Sequence, residues 1–309
     1  MVSILTVLMP VLLVVFLGWI IRRKNIFSEK TVEELKFMLT NFILPVAIFH
    51  ALAATKYTSQ SWMQVGLMLV VLFVSFAVGY LMKPLIKPPF RKYVPFLVSL
   101  YEGGMVAYPL YSKLCGSENV YRIAILDIAS ILFCFGFYMN VLAFEERGEK
   151  ADLKNGLLRA LKTPAFDASL LGILLGVSGI MQGFLSSGAG QVYKAAVQTI
   201  VDPLATMILL VVGYNIQTDR EVFIPCLKTI GLRVVLQGGM ISLMLFAVHR
   251  LAGSNPLTDK AILIYMSAPP TYSLQSFIKD SKGANYASTT NALYIFVSIA
   301  VYAAASLLL

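Results

Sequence analysis

The sequence predicts an all-α polytopic membrane protein. Ten transmembrane helices form a 5+5 inverted repeat, with broken helices 4 and 9 crossing. Three observations predict this fold class. Of 309 residues, 58% are hydrophobic and 13% charged, with a mean hydropathy of +0.77, whereas a soluble domain is about one quarter charged. Apolar runs of about 18 or more residues recur, each long enough to cross ~30 Å of hydrocarbon. Lipid admits only helices or closed barrels, and these runs are too continuous for barrel strands. Finally, proline and glycine interrupt corresponding helices of the two halves at nearly one offset.

In order, the expected helices are Val2–Ile21, Leu35–Ala54, Trp62–Met82, Tyr93–Leu114 and Val120–Phe144 in the first half. The second half reads Ala165–Met181, Val192–Ile216, Phe223–Val248, Lys260–Ile278 and Ala284–Leu309. The first run has no basic segment before it, and Arg22, Arg23 and Lys24 follow it. This pattern predicts an uncleaved first helix with its N-terminus outside. The longest polar connection, residues 145–164, divides the chain into repeats 1–144 and 165–309. It reads as a cytoplasmic linker, partly an amphipathic surface helix. Five helices per half turn the second half upside down relative to the first, as an inverted repeat requires.

Basic residues set the orientation. With both termini outside, 19 of the 25 Lys and Arg residues, Arg233 among them, are assigned to the cytoplasmic side. Six, including Arg122 and Lys260, are assigned to the outer side. This is a positive-inside bias. It explains the net charge of +9 as topology, and the dispersed charges predict no nucleic-acid partner. Cys115, Cys134 and Cys226 have no metal-ligand spacing and read as packing residues. The sequence holds no HExxH, no P-loop and no DDxxD run, so no enzyme and no cofactor is expected.

The interruptions mark the candidate site. Helix 2 carries Pro45 and helix 7 carries Pro203, 158 residues apart. Helix 4 reads YEGGMVAYPLY with Pro109, and helix 9 reads YMSAPPTYS with Pro269 and Pro270, 160 and 161 residues further on. Proline removes a backbone donor and clashes with the preceding turn, while Gly103 and Gly104 leave helical geometry cheaply. Unwound backbone at membrane depth is tolerable where it lines a cavity or binds a solute. Half-helix ends also present dipoles, with N-termini suiting anions and C-termini cations.

Ionisable residues deep in a bilayer cost several kcal/mol, roughly 3 or more, so each needs a reason. Glu102 in the helix 4 break is the first candidate for coupling to a proton or to a sodium ion bound near it; the structural alternative is neutralisation by a lysine or a backbone N–H. Asp202 before Pro203 is either a second coupling carboxylate or a local cap. Asp127 in helix 5 is either a third or a partner for Arg122. Asn41, Ser267, Thr271 and Gln275 supply neutral polar groups for a carboxylate or sodium. Tyr101, Tyr108, Tyr265 and Tyr272 lie around the two breaks as packing groups or as walls for a substrate. His50 is expected at the outer interface. Gly172 and Gly176 permit close helix packing.

TNFILPVAIFHAL, GGMVAYPLYSKLCG, LKTPAFDASLLGILLG and MSAPPTYSLQSFIKDSKGANYAS together resemble segments of the auxin efflux carrier family, which includes bacterial malate and malonate permeases. The resemblance spans nearly the whole chain through the order and spacing of these segments. It implies crossing helices 4 and 9, a scaffold part, a moving transport part and a small organic acid as substrate. It also implies a distant relation to sodium–bile acid symporters and sodium–proton antiporters. Asn41 and Pro45 match the family's second-helix motif, Gly104 and Pro109 the fourth, and Pro269 and Pro270 the ninth. Glu102 stands where the family usually has asparagine, and Asp202 where it has an apolar or small residue. These departures point to cation coupling or to a substrate with a positive group. The expected activity is secondary transport across the plasma membrane, with an amino acid or other zwitterionic solute as the alternative cargo and a non-transporting sensor as the rival class. The expected partners are a small organic anion, a proton or sodium and the lipid bilayer, with a homodimer left open.

Overall fold

A computed structural model describes residues 2–147, 164–214, 220–272, 274 and 278–307. The linker expected to be partly helical lies largely outside these residues. Among the described residues there is no strand. The first half comprises α1 (Val2–Arg23), α2 (Glu29–Ala53), α3 (Ser59–Met82), α4 (Val94–Ser99), α5 (Tyr108–Cys115) and α6 (Tyr121–Glu146). The second comprises α7 (Pro164–Ser178), α8 (Ile180–Leu185), α9 (Gly188–Val201), α10 (Leu204–Tyr214), α11 (Arg220–Ala252), α12 (Pro256–Met266) and α13 (Ser281–Leu307). Among the described residues six stretches are long and apolar enough to cross a membrane: α2, α3, α6, the α9–α10 run, α11 and α13. The halves α4, α5 and α12 are each too short to cross alone.

Many large apolar side chains are exposed, and several polar and charged groups are buried. Leu81 and Val235 are 79% and 75% exposed, whereas Glu102, Asp127, Arg233, Gln237 and Asn291 are buried. This distribution suits a lipid solvent, where each buried polar group must find a protein partner. Loops expected on one side do meet each other. Lys83 pairs with Glu145 at 2.9 Å and Lys92 with Glu146 at 2.7 Å, and the Lys279 N–H donates to the same Glu146 carboxylate at 3.1 Å. At the opposite end Gln182 donates to the Thr55 carbonyl at 2.7 Å, and Arg122 Nη1 donates to Thr258 Oγ1 at 2.7 Å.

Two packing groups are apparent. One joins α1 to α10 and α2 to α7; the other joins α3, α4, α6, α11, α12 and α13. Glycines set the closeness in the first group. A Cβ on Gly172 would meet Leu52 Cβ at 2.9 Å, and one on Gly176 would meet Tyr57 Cε2 at 2.6 Å, so this glycine spacing serves the α2–α7 contact. Between α1 and α10, a Cβ on Gly213 would collide with the Val15 carbonyl and one on Gly18 with the Leu210 carbonyl. Gly213→Ala is expected to destabilise the fold by about 1–3 kcal/mol through overpacking. Gly231→Ala is the control, since a Cβ there meets nothing within 4 Å. Detergent melting of the two variants checks this; equal melting would mean that the α1–α10 approach has slack.

Two features differ from the sequence expectation. Pro45 does not break α2. The helix runs through it by widening to a π turn at Leu39–Ile43, which absorbs the ring without unwinding the chain. The Pro203 interruption is real, with a turn between α9 and α10. The second difference concerns Arg233 and Lys260, which the loop count places on the two aqueous sides. Both are buried, at 0% and 5% exposure, and removing one from each side leaves the charge asymmetry intact.

Candidate functional site

Two breaks meet inside the second packing group. The first follows α4, where residues 100–102 are non-helical and a π turn at Gly103–Ala107 leads into α5. Pro109 sits in the first turn of α5, where its missing N–H costs nothing. The second follows α12 and runs through residues 267–272. The Glu102 N–H donates to the Pro269 carbonyl at 2.8 Å, and the Tyr272 N–H donates to Glu102 Oε2 at 2.7 Å. Glu102 therefore ties one broken helix to the other with both its backbone and its carboxylate.

The free carbonyls of the breaks have dedicated partners. Arg233 on α11 donates through Nη1 to Leu97 O at 2.8 Å. Through Nη2 it donates to Leu100 O at 3.0 Å and to Ala268 O at 2.9 Å. Its guanidinium lies 5.2 Å from the Tyr101 ring and 5.0 Å from the Tyr294 ring. One fixed cation thus serves the carbonyl-bearing C-terminal ends of α4 and α12 together, the ends at which a helix dipole favours positive charge. One turn further along α11, Gln237 donates to Val98 O at 2.6 Å and accepts from the Tyr101 hydroxyl. From α13, Ser298 donates to Ser267 O at 2.6 Å and Asn291 to Thr271 O at 3.2 Å.

A second buried carboxylate adjoins the crossing. Asp127 on α6 lies beside Tyr265, whose hydroxyl is 2.6 Å from Oδ1 and 2.7 Å from Ser130 Oγ. The Tyr108 hydroxyl reaches Asp127 Oδ2 at 3.3 Å. The break packs directly on this group. A Cβ on Gly103 would lie 2.5 Å from Asp127 Oδ1 and 2.9 Å from the Tyr265 ring. Gly104 meets Leu44, where a Cβ would lie 2.5 Å from Cδ1, so the break also abuts α2 beside Pro45. Two polar atoms near the second break, Tyr272 Oη and Asn291 Oδ1, are buried with no hydrogen-bond partner among the described residues.

The structure brings together most of the residues singled out from sequence: Tyr101, Glu102, Gly103, Gly104, Tyr108, Asp127, Tyr265, Ser267, Pro269, Pro270, Thr271 and Tyr272. Ser267 turns its hydroxyl to Ile264 O at 3.1 Å. Asn41 turns its amide back on its own helix, to Phe37 O at 2.9 Å and Thr40 Oγ1 at 3.1 Å. Asp202 is exposed in the turn between α9 and α10 and shares no bond described above. His50 is half-buried, its ring 5.5 Å from that of Tyr193. Gln275 lies outside the described residues. Sequence reasoning missed Arg233, Gln237, Asn291 and Ser298. The available signal was an arginine with a glutamine four residues on inside the apolar run GLRVVLQGG, which demands an internal partner. Among the described residues no group of three or more His, Cys, Asp or Glu side chains could hold a metal.

A family model described as membrane transport protein matches residues 3–307. No individually curated protein matches the sequence.

Proposed function

Because the chain belongs to the auxin efflux carrier family of membrane transporters, we propose that it moves a small organic acid by alternating access, with Glu102 and Asp127 at the transport site. The observation that carries this reading is the crossing itself. Two half-helix ends, a tethering carboxylate, and polar atoms of Tyr272 and Asn291 that have no partner among the described residues meet in a buried place. Irregular backbone at membrane depth belongs at such a solute site. The group holding α3, α4, α6, α11, α12 and α13 is the moving part, and the group of α1, α2, α7 and α10 is the scaffold.

The packing supports an inverted repeat of ten spans. Exchanging the halves maps the α1–α10 contact onto α7–α2 and the α3–α6 contact onto α11–α13, and all four contacts occur. With the positive-inside bias, both termini lie outside a plasma membrane. A proton suits the coupling better than sodium. The carbonyls at the α4 and α12 ends, which would attract a mobile cation, already receive Arg233. A second reading, a zwitterionic amino acid as cargo, is favoured by the two buried carboxylates, which would pair with an ammonium group.

The test is thermal stabilisation of purified protein by malonate, malate, acetate and a panel of amino acids, with and without sodium, at two pH values. A ligand that binds the folded state raises its apparent stability by mass action. Stabilisation by a carboxylate that strengthens at low pH and ignores sodium is expected. Stabilisation by amino acids alone would replace the organic acid with a zwitterion.

A further inference from the structure

A second polar cluster lies at the end of the bundle away from the Lys92–Glu146 pair. Here the Tyr111 hydroxyl donates to Leu257 O at 2.9 Å, and Arg122 Nη1 binds Thr258 Oγ1. These bonds pin α5 and α6 to the first turn of α12. Asn255 already caps that turn by accepting from the N–H groups of Leu257 and Thr258, so the helix end is satisfied. The side chains are not. Lys260 Nζ, Arg122 Nε and Tyr302 Oη are all buried without a hydrogen-bond partner among the described residues.

Cys115 is the common neighbour. It lies within electrostatic reach of Lys260, Arg122 and Glu118, and Tyr302 within reach of it. Two carboxylates are nearby. Asp259 is committed to His249 Nε2 at 2.8 Å. Glu118 is exposed and accepts from Asn119 at 3.1 Å. Among the described residues, neither forms an ion pair with Lys260 or Arg122. A buried ammonium and a buried guanidinium N–H left without an acceptor are strongly unfavourable.

We propose that Lys260, Arg122 and Tyr302 form a binding site for a small carboxylate. With Nη1 engaged, the guanidinium keeps its Nε edge for a side-on carboxylate, the ammonium supplies charge and the phenol supplies a third donor. Arg122 and Lys260 each lie five residues before the Asp127–Tyr265 pair on their own helices, about 7.5 Å along each axis. The site is therefore an antechamber to the crossing. Its use in transport rests on the organic-acid reading above, but its binding of an anion does not.

The experiment follows alkylation of Cys115 by N-ethylmaleimide in the purified full-length protein, read by peptide mass spectrometry. Cys115 is half-buried whereas Cys134 and Cys226 are buried, so the signal is local to this site. Malonate is expected to slow Cys115 alkylation severalfold in a saturable way. Lys260→Met should remove this protection, and Tyr302→Phe should weaken it. If Lys260→Met does not fold, Tyr302→Phe and Lys260→Arg carry the test, the arginine variant keeping protection. Equal rates with and without malonate overturn the proposal, as does protection that survives Lys260→Met. Protection by chloride equal to that by malonate overturns the carboxylate assignment. Malonate protection in a protein whose vesicles take up no organic acid would sink the transport reading and leave this site standing.

Discussion

Arg233→Met is expected to abolish transport and to lower stability by about 3–5 kcal/mol, the range for removing one member of a buried charged network. Methionine fills much of the volume but donates nothing. The carbonyls of Leu97, Leu100 and Ala268 would then be left facing each other without a donor, each at a desolvation cost of ~1–3 kcal/mol. The rings of Tyr101 and Tyr294 would also lose the cation between them. Arg233→Lys should recover part of the loss, because an ammonium keeps the charge but lacks the planar fork that reaches three acceptors. Melting in detergent measures the first effect and vesicle uptake the second. A methionine variant that melts and transports like the parent would mean that the two breaks hold together without the guanidinium.

Glu102→Gln is expected to leave the protein folded and to uncouple it. The amide oxygen can still accept from the Tyr272 N–H, and the backbone bond to Pro269 does not involve the side chain. What disappears is the ionisable group at the point where the two broken helices touch. Downhill exchange of substrate across proteoliposomes should continue, while accumulation against a gradient in response to an imposed pH difference should fall to the equilibrium level. Accumulation as strong as in the parent would remove Glu102 from coupling and leave it a structural tie, with Asp127 the next carboxylate to test.

Much of this site was legible in the sequence because membranes punish irregularity. A carboxylate, two glycines and a proline between Tyr101 and Tyr111 have no place in a lipid-facing helix, so they announced a break before any fold was known. The Pro269–Pro270 pair did the same for the partner helix. Pro45 shows the limit of that inference. Proline demands relief from a steric clash, and a π turn supplies it as well as unwinding does. Asn41 shows another limit, since a polar side chain on a helix can satisfy itself on its own backbone.

By itself, the sequence determined the membrane solvent, the helical class and the breaks at Gly103–Pro109 and Pro269–Pro270. Each of these follows from local composition weighed against the cost of exposing polar groups to hydrocarbon. Tertiary structure alone decided who satisfies the breaks. Arg233 and Gln237 reach carbonyls more than 130 residues away in the chain, and Arg122 in one half reaches Thr258 in the other. Such partnerships depend on which helices pack together, and no pattern local to any one of them records it.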